Sequence, residues 1–336
     1  MKLKQNKTYV IAEIGINHEG SLNNAIKLIR AAKNSGADAV KFQMFKPETL
    51  ANKLSKKSED QKKSISKKES LYQMLKRVSL KEKDLIKLRK LSKNLKIDFI
   101  SSIFDEESLK ISNKLNLDAY KIASSDLTDI VLIKKISKKK KPIILSTGMG
   151  SKIEIVKVLK LLKKNKVYLL HCVSMYPCPK NFANLNRMHA LKKLCKNVGY
   201  SDHTLGIEAS LMSISMGASV LEKHFTMNKK RVGADHMLSA DPNDLKVICD
   251  YAINFKNLLG KGTIEPSSKE KKMRKFFRKS IYASKNIIAG TKINEKNTKF
   301  MRPQSYLKSE DFYKILGKKT KKKIEIYEPI NNNKIF

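Results

Sequence analysis

The stretch "SDHTLGIEASLMSISMGASVLEKHFT", residues 201–226, carries His203 and His224 at the ends of two short strand-like runs, with a helical segment between them. The two histidines stand 21 positions apart, too far for a local metal clip of the His-x-x-x-His kind. A common task for them requires a fold in which the ends of successive parallel strands converge. Working outward, the same alternation recurs along the chain. "YVIAEIGIN" (9–17) precedes "SLNNAIKLIRAAKNSG" (21–36), where Leu22, Ala25, Ile26, Ile29 and Ala32 share one helical face and Gly36 supplies a stop. Then come "AVKFQMF" (39–45), a polar lysine-rich excursion, a helix near 80–94, and the strands "DFISSIF", "AYKIASS", "PIILSTG", "VYLLHCVS", "NVGYSD" and "SVLEKHFT".

Eight strands, each trailed by a helix and ending with a long helix at 241–260, predict an α/β fold, a (β/α)8 barrel over residues 1–260. A doubly wound sheet is the alternative, but no strand runs into a Gly-x-Gly-x-x-Gly turn. Almost every strand turns polar at its C-terminal end: Glu13 and Asn17; Lys41 and Gln43; Ser101 and Ser102; Lys121, Ser124 and Ser125; Ser146 and Thr147; His171 and Ser174; Ser201, Asp202 and His203; Glu222 and His224. In a barrel these ends meet at one mouth, and neighbouring strands lie about 4.8 Å apart, so His203 and His224 come within reach of one metal ion. Barrel closure also sets Glu13 beside Glu222. Beyond 260, "GKGTIEPSSKEKKMRKFFRK" reads as a linker (261–279) with little core of its own, and 280–336 as a small β-rich module, near the minimum size that folds alone and expected to dock on something.

Composition narrows the classes. Apolar residues make up 41% of the 336, ordinary for a globular protein, and no run approaches the roughly 18 apolar residues of a membrane span. The N-terminal apolar run is short and interrupted by Glu13, resembling neither a signal peptide nor an anchor, so a cytoplasmic protein is expected, with no membrane partner. Cys172, Cys178, Cys195 and Cys249 form no tight pair and read as reduced, buried thiols. The formal charge of +40 invites a nucleic-acid reading. Yet the lysines spread over nearly every predicted helix and arginines are few; lysine lacks the planar fork suited to phosphate and base edges. No specific nucleic-acid partner is expected; "SKKKKP" (137–142) and "GKKTKKKIEI" (317–326) leave weak polyanion binding as a remote alternative.

At the mouth, Lys41 and Lys121 with Ser102, Ser124, Ser146 and Ser201 offer point charge and short hydrogen bonds to a phosphate and a carboxylate. Buried lysines have an ion-pair or functional reason, because an unpaired buried charge is costly. Two imidazoles with carboxylates nearby suit Zn²⁺ or Mn²⁺. By contrast, His171 in "LLHCV" reads as a satisfied core residue, His189 as a helix-surface residue, and single serines at strand ends are weak signals. A barrel metallohydrolase would want more ligands than these, and a His-x-His on the first strand is lacking.

The stretches "IAEIGINHEG", "GADAVKFQ", "YKIAS", "PIILSTGM", "HCVSMYPCP", "GYSDHT", "LEKHFT" and "GADH" (233–236) resemble the sialic acid synthase family, which covers N-acetylneuraminate, legionaminate and related nonulosonate synthases. "IIAGTKI" and "MRP" resemble its C-terminal antifreeze-like (SAF) domain. The resemblance spans essentially the whole chain. It implies condensation of phosphoenolpyruvate with an open-chain 2-acetamido sugar, N-acetylmannosamine, with water, to a nine-carbon 2-keto acid and phosphate. It implies His203 and His224 as ligands of a divalent ion, Mn²⁺ first, with Mg²⁺ or Co²⁺ as alternatives. Lys41, Ser102, Lys121, Ser124, Ser146 and Ser201 match positions that hold phosphoenolpyruvate. Glu13, Gln43, Tyr176 and Asp235 match positions around the sugar, and Glu222 matches a glutamate at the reacting centre. Arg302 matches an arginine that the SAF domain of one protomer lends to the other's site, with Phe276 at the approach, which implies a domain-swapped homodimer. Two positions depart from the pattern: Ala234 stands where proline is frequent, and Ser174 where N-acetylneuraminate-type members often carry asparagine beside the sugar. The second departure brings a 2,4-diacetamido-6-deoxy sugar, as in legionaminate synthesis, into competition.

Overall fold

The structure is a computed structural model that describes residue 1 and residues 7–54, 69–260 and 262–336. The middle of the lysine-rich excursion (55–68) and the first residue of the expected linker lie outside the described residues. The chain divides into two compact units, the first Met1–Gly260 and the second from there to Phe336.

In the first unit eight parallel strands follow one another around a closed barrel. They are β1 (Tyr9–Gly15), β2 (Ala39–Met44), β3 (Asp98–Ile103), β4 (Ala119–Ile122), β5 (Ile143–Ser146), β6 (Val167–His171), β7 (Val198–Asp202) and β8 (Val220–His224). The pairing of β8 with β1, from Tyr9 opposite Val220 to Glu13 opposite His224, excludes the open doubly wound sheet. Several of the helices between strands begin where a side chain satisfies one of their first free N–H groups. Ser21 caps α1 (Leu22–Asn34), and Asp241 opens the last barrel helix, Pro242–Leu259, with proline in its first turn. Of the face expected for α1, Ala25, Ile29 and Ala32 are buried and Leu22 and Ile26 pack partly; Leu28 joins them.

Two apolar layers hold the barrel. Between strands and helices, Val10, Val40, Phe42, Phe99, Leu145, Leu169 and Leu221 belong to one large cluster, in which the Phe42 and Phe99 rings stack 5.0 Å apart. Burying each such side chain contributes about 1.5–3 kcal/mol. Inside the barrel a second cluster joins Tyr9, Ile11, Ala39, Ile100, Ala119, Ile144, Tyr168, Leu170 and Val220. The lower barrel is therefore solid, and chemistry is confined to its upper end.

Two features differ from the sequence expectation. A helix at Leu71–Val78, closed by a Ser70–Gln73 capping box, stands where only a polar excursion was read. Its Met74, Leu75 and Val78 are buried, and the spacing Leu71, Met74, Leu75, Val78 is helical; flanking lysines mask it. The expected linker contains a helix at Ser268–Phe277, capped by Ser267, with no buried residue, so it lacks a core but not secondary structure. The rest of the second unit pairs Ser280–Ala283 antiparallel with Thr298–Met301 over a core that includes Ile281, Ile293, Phe312, Ile324 and Ile330. Among the described residues no helix is long and apolar enough to cross a membrane.

Two predictions follow from the packing. A methyl group on Gly199 would lie 2.0 Å from the Val220 carbonyl oxygen and 2.8 Å from Leu170 Cδ2. Because the obstacle is backbone of the neighbouring strand, Gly199→Ala should destabilise the barrel by about 3 kcal/mol, read by urea unfolding, or prevent folding. His18 is 1% exposed, stacks on Phe42 and accepts a hydrogen bond from Gly20 N–H. Burial, opposed weakly by a backbone hydrogen bond at Gly15, pushes its imidazole down to about 4. The unfolded chain protonates nearer the ordinary 6.5, so stability present above that pH is lost as pH falls toward 4. His18→Gln should remove roughly 2 kcal/mol of the stability difference between pH 7 and pH 5, measured by urea unfolding at both.

Candidate active site

Six of the eight barrel strands put an apolar side chain into the lower interior and, two residues further on, a polar one into the upper interior. Ile11 is followed by Glu13, Ala39 by Lys41, Ile100 by Ser102, Ala119 by Lys121, Ile144 by Ser146 and Val220 by Glu222. Cross-strand register places Glu13 opposite Lys41, Ser102 opposite Lys121 and Ser201 opposite Glu222. The result is a cavity of about 420 Å³ at the C-terminal mouth, within the range that holds small metabolites.

Its floor is an ion network. Lys41 Nζ lies 2.9 Å from Glu13 Oε2 and 3.7 Å from Glu222 Oε2, and donates to Ser102 Oγ at 3.0 Å. Lys121 Nζ lies 3.4 Å from Glu222 Oε1, which also accepts from Ser201 Oγ at 2.9 Å. Gln43 Nε2 donates to Glu13 Oε1 at 3.0 Å. All four charged groups are nearly or fully buried. Burial works against the Glu222 charge, but Lys121 and Lys41 outweigh it and hold the carboxyl down at about 2. Glu13 moves the other way: burial raises it and the neighbouring Glu222 charge adds to the rise, against the Lys41 charge and the hydrogen bonds from Lys41 and Gln43. Glu222 faces two lysines and Glu13 one, so Glu222 is the firmly ionised carboxylate. Burial also works on Lys41, but the two glutamates hold its ammonium up, whereas burial prevails at Lys121 and lowers it.

The two histidines meet across the wall, their ring centroids 5.6 Å apart and that of Tyr176 4.3 Å from His203. Burial pushes His203 down to about 4 and His224 well below its ordinary value, so both are neutral imidazoles, the form that ligates metals. His203 Nδ1 is 2.7 Å from the Val173 carbonyl; as donor there, it leaves Nε2 with a free lone pair. Asp235 Oδ2 lies 3.6 Å from His224 Nδ1, and burial with the Glu13 charge raises its carboxyl to about 7. Ser146 Oγ, Ser174 Oγ and His224 Nδ1 are buried without a hydrogen-bond partner among the described residues. Such groups are costly unless something arrives to satisfy them.

Of the sixteen side chains named as site candidates, fourteen line this cavity: Glu13, Lys41, Gln43, Ser102, Lys121, Ser124, Ser146, Ser174, Tyr176, Ser201, His203, Glu222, His224 and Asp235. Phe276 and Arg302 belong to the second unit, where Phe276 is exposed and the Arg302 guanidinium lies 5.7 Å from the Phe277 ring centroid. Other polar strand ends face away: Ser101 Oγ donates to Phe42 O, Asn17 Nδ2 to Phe225 O, and Asp202 pairs with Lys223. His171 is a core residue held on Ala183 O, and His189 is exposed on its helix. Sequence reading missed an apolar wall, Ile16, Met74, Leu75 and Phe104, and the Cys172 thiol 2.9 Å from Ser124 Oγ. The helical spacing from Leu71 to Val78 could have revealed half of that wall.

A closed parallel barrel with paired lysines, glutamates and histidines at its C-terminal mouth defines an enzyme of the (β/α)8 class. The chain belongs to the NeuB family, whose profile matches residues 28–264. It is 41% identical to the N,N'-diacetyllegionaminic acid synthase of Campylobacter jejuni subsp. jejuni serotype O:2, covering 93% of this chain and 95% of that one. It is 34% identical to the pseudaminic acid synthase of C. jejuni serotype O:23/36, covering 97% and 96%. Its structure matches the crystal structure of N-acetylneuraminic acid (sialic acid) synthetase from Leptospira borgpetersenii serovar Hardjo-bovis with a TM-score of 0.72, 31% identity, and coverage of 80% and 90%. The family is thus one of nonulosonic acid synthases.

The floor network generates a prediction. Lys41→Met would leave Glu13 and Glu222 buried with one fewer cation, which should cost about 3–5 kcal/mol of stability in urea unfolding. Pairing it with Glu13→Gln should restore most of that loss.

Proposed function

We propose that this enzyme condenses phosphoenolpyruvate with the open-chain form of 2,4-diacetamido-2,4,6-trideoxymannose and water, giving N,N'-diacetyllegionaminate and inorganic phosphate. The observation that carries the reading is the buried floor, where Lys41 and Lys121 stand with serine hydroxyls around the ionised Glu222. That arrangement suits a small substrate bearing a phosphate and a carboxylate.

Lys41 and Lys121 supply charge to these two groups, and Ser102, Ser124, Ser146 and Ser201 supply short hydrogen bonds. Glu13, Gln43, Tyr176 and Asp235 surround the sugar. The C3 carbon of phosphoenolpyruvate attacks the sugar aldehyde, forming the new C–C bond while the aldehyde oxygen takes up a proton. Water, oriented by the Glu222 carboxylate, adds to the oxocarbenium-like C2 and gives up the proton that the aldehyde oxygen takes, and the tetrahedral adduct loses phosphate, which carries off the C2 hydroxyl proton, to give the 2-keto acid. His203 and His224 would hold a divalent ion, Mn²⁺ first and Mg²⁺ or Co²⁺ as alternatives, which would polarise the aldehyde oxygen. The fit rests on two neutral imidazoles, one with an orphaned nitrogen, and on charge: two lysines offset only two glutamates, so an anionic substrate gains from a further cation.

For the sugar, the apolar wall of Ile16, Met74, Leu75 and Phe104 suits a C6 methyl group, where N-acetylmannosamine carries a hydroxymethyl. The higher identity to the legionaminic acid synthase supports the same choice. N-Acetylmannosamine is kept as the second substrate because the structural likeness is to a sialic acid synthetase. The second unit is read as the antifreeze-like SAF domain, with Arg302 closing the site of the partner in a domain-swapped homodimer and excluding water.

The test is phosphate release by metal-stripped protein given phosphoenolpyruvate with either sugar, with and without Mn²⁺. The expected result is release that needs Mn²⁺ and is faster with the diacetamido sugar. Equal or faster release with N-acetylmannosamine overturns the sugar, and no release from folded protein with either overturns the reaction.

A further inference from the structure

Behind the two histidines, on the opposite face of the same strands, lies an ion pair that the reaction does not use. Asp202 on β7 is opposite Lys223 on β8, and Lys223 Nζ is 3.1 Å from Asp202 Oδ2; both side chains are wholly shielded from solvent. The surrounding outward positions of these strands, Val198, Tyr200 and Leu221, belong to the apolar cluster under the helices. A buried ion pair in such a layer adds little stability over apolar side chains of the same volume, so its presence calls for a geometric reason.

The hydrogen bonds supply one. Asp202 Oδ1 accepts from Thr204 N–H and Thr204 Oγ1, each at 2.8 Å, and Oδ2 accepts from Ser210 Oγ at 2.6 Å. Lys223 Nζ donates to the Thr204 carbonyl at 2.6 Å. The backbone on both sides of His203 is thereby gripped: Asp202 precedes it, and Thr204, which follows, is held at its N–H, its hydroxyl and its carbonyl. Lys223 lies between Glu222 and His224, so the grip on His203 is anchored on the strand that carries the other imidazole.

Resting on the reading of His203 and His224 as metal ligands, we infer that Asp202 and Lys223 are positioning residues, a tie between β7 and β8 that sets the spacing and direction of the two imidazoles. Neither residue lines the cavity; the pair acts through the Thr204 backbone. Losing partners behind ligating residues typically weakens metal binding ten- to a hundredfold.

The experiment measures Mn²⁺ binding by the electron paramagnetic resonance signal of free Mn²⁺, without substrates, and the thermal midpoint of the metal-free protein. The variants are Lys223→Met and the neutral, near-isosteric double variant Asp202→Asn/Lys223→Met, which avoids stranding a buried charge. The expected result for the folded double variant is a Kd for Mn²⁺ raised at least tenfold. A double variant with a shifted thermal midpoint but a Kd within twofold of the unsubstituted protein would show a purely structural pair and overturn the inference. If the unsubstituted protein binds no Mn²⁺, the metal reading itself falls and takes the inference with it, so the two failures are distinguishable.

Discussion

Closure of β8 onto β1 is the constraint on which the molecule depends. Without it the first and last strands would be sheet edges, and Glu13 and His224, opposite one another in the closing pair, would stand at the two far sides of an open sheet. Closure also lets Lys41, on β2, reach past Glu13 to Glu222 on β8. A parallel sheet buries both faces, and every strand here except β7, whose lower inner position is Gly199, obeys that rule with one apolar set for the helices and another for the interior. The site is what remains when the interior set gives way to polar residues in the last turn of the pleat.

The electrostatics follow from that burial. Four buried charges share the floor of the cavity, and their arrangement separates two glutamates by the number of lysines each one faces. A carboxylate held firmly ionised beside a lysine whose ammonium is weakened by burial, with neutral imidazoles a few ångströms away, is an asymmetric polar site in a low-dielectric pocket. Such a pocket favours a substrate that brings its own negative charge and enough polar atoms to satisfy the hydroxyls and the imidazole nitrogen left without partners.

Strand parity decides which polar residues take part. Ser102 and Ser101 are neighbours in sequence, yet one lines the cavity and the other bonds to the Phe42 carbonyl outside it. Asp202 and His203 divide in the same way, and so do Lys223 and His224. The outward members of these pairs are occupied by backbone contacts. A sequence reader sees a cluster of polar residues at each strand end and has no register with which to sort it.

Much was nonetheless legible. The eight strands, the long helix that ends the barrel, and twelve of the cavity residues could be read from period and position, because the apolar runs of a parallel barrel and the polarity of their C-terminal ends are local properties of the chain; Tyr176 and Asp235 came only through the family resemblance. The wall formed by Met74 and Leu75 was hidden by surrounding lysines, whose charges dominate the local composition. Only the tertiary structure decided that Glu222 is shared by two lysines while Glu13 has one, that Asp202 ties to Lys223 behind the histidines, and that Gly199 lies against the backbone of β8. Those facts depend on register between strands far apart in the chain, and register is settled by closure and packing of the whole barrel rather than by any one segment.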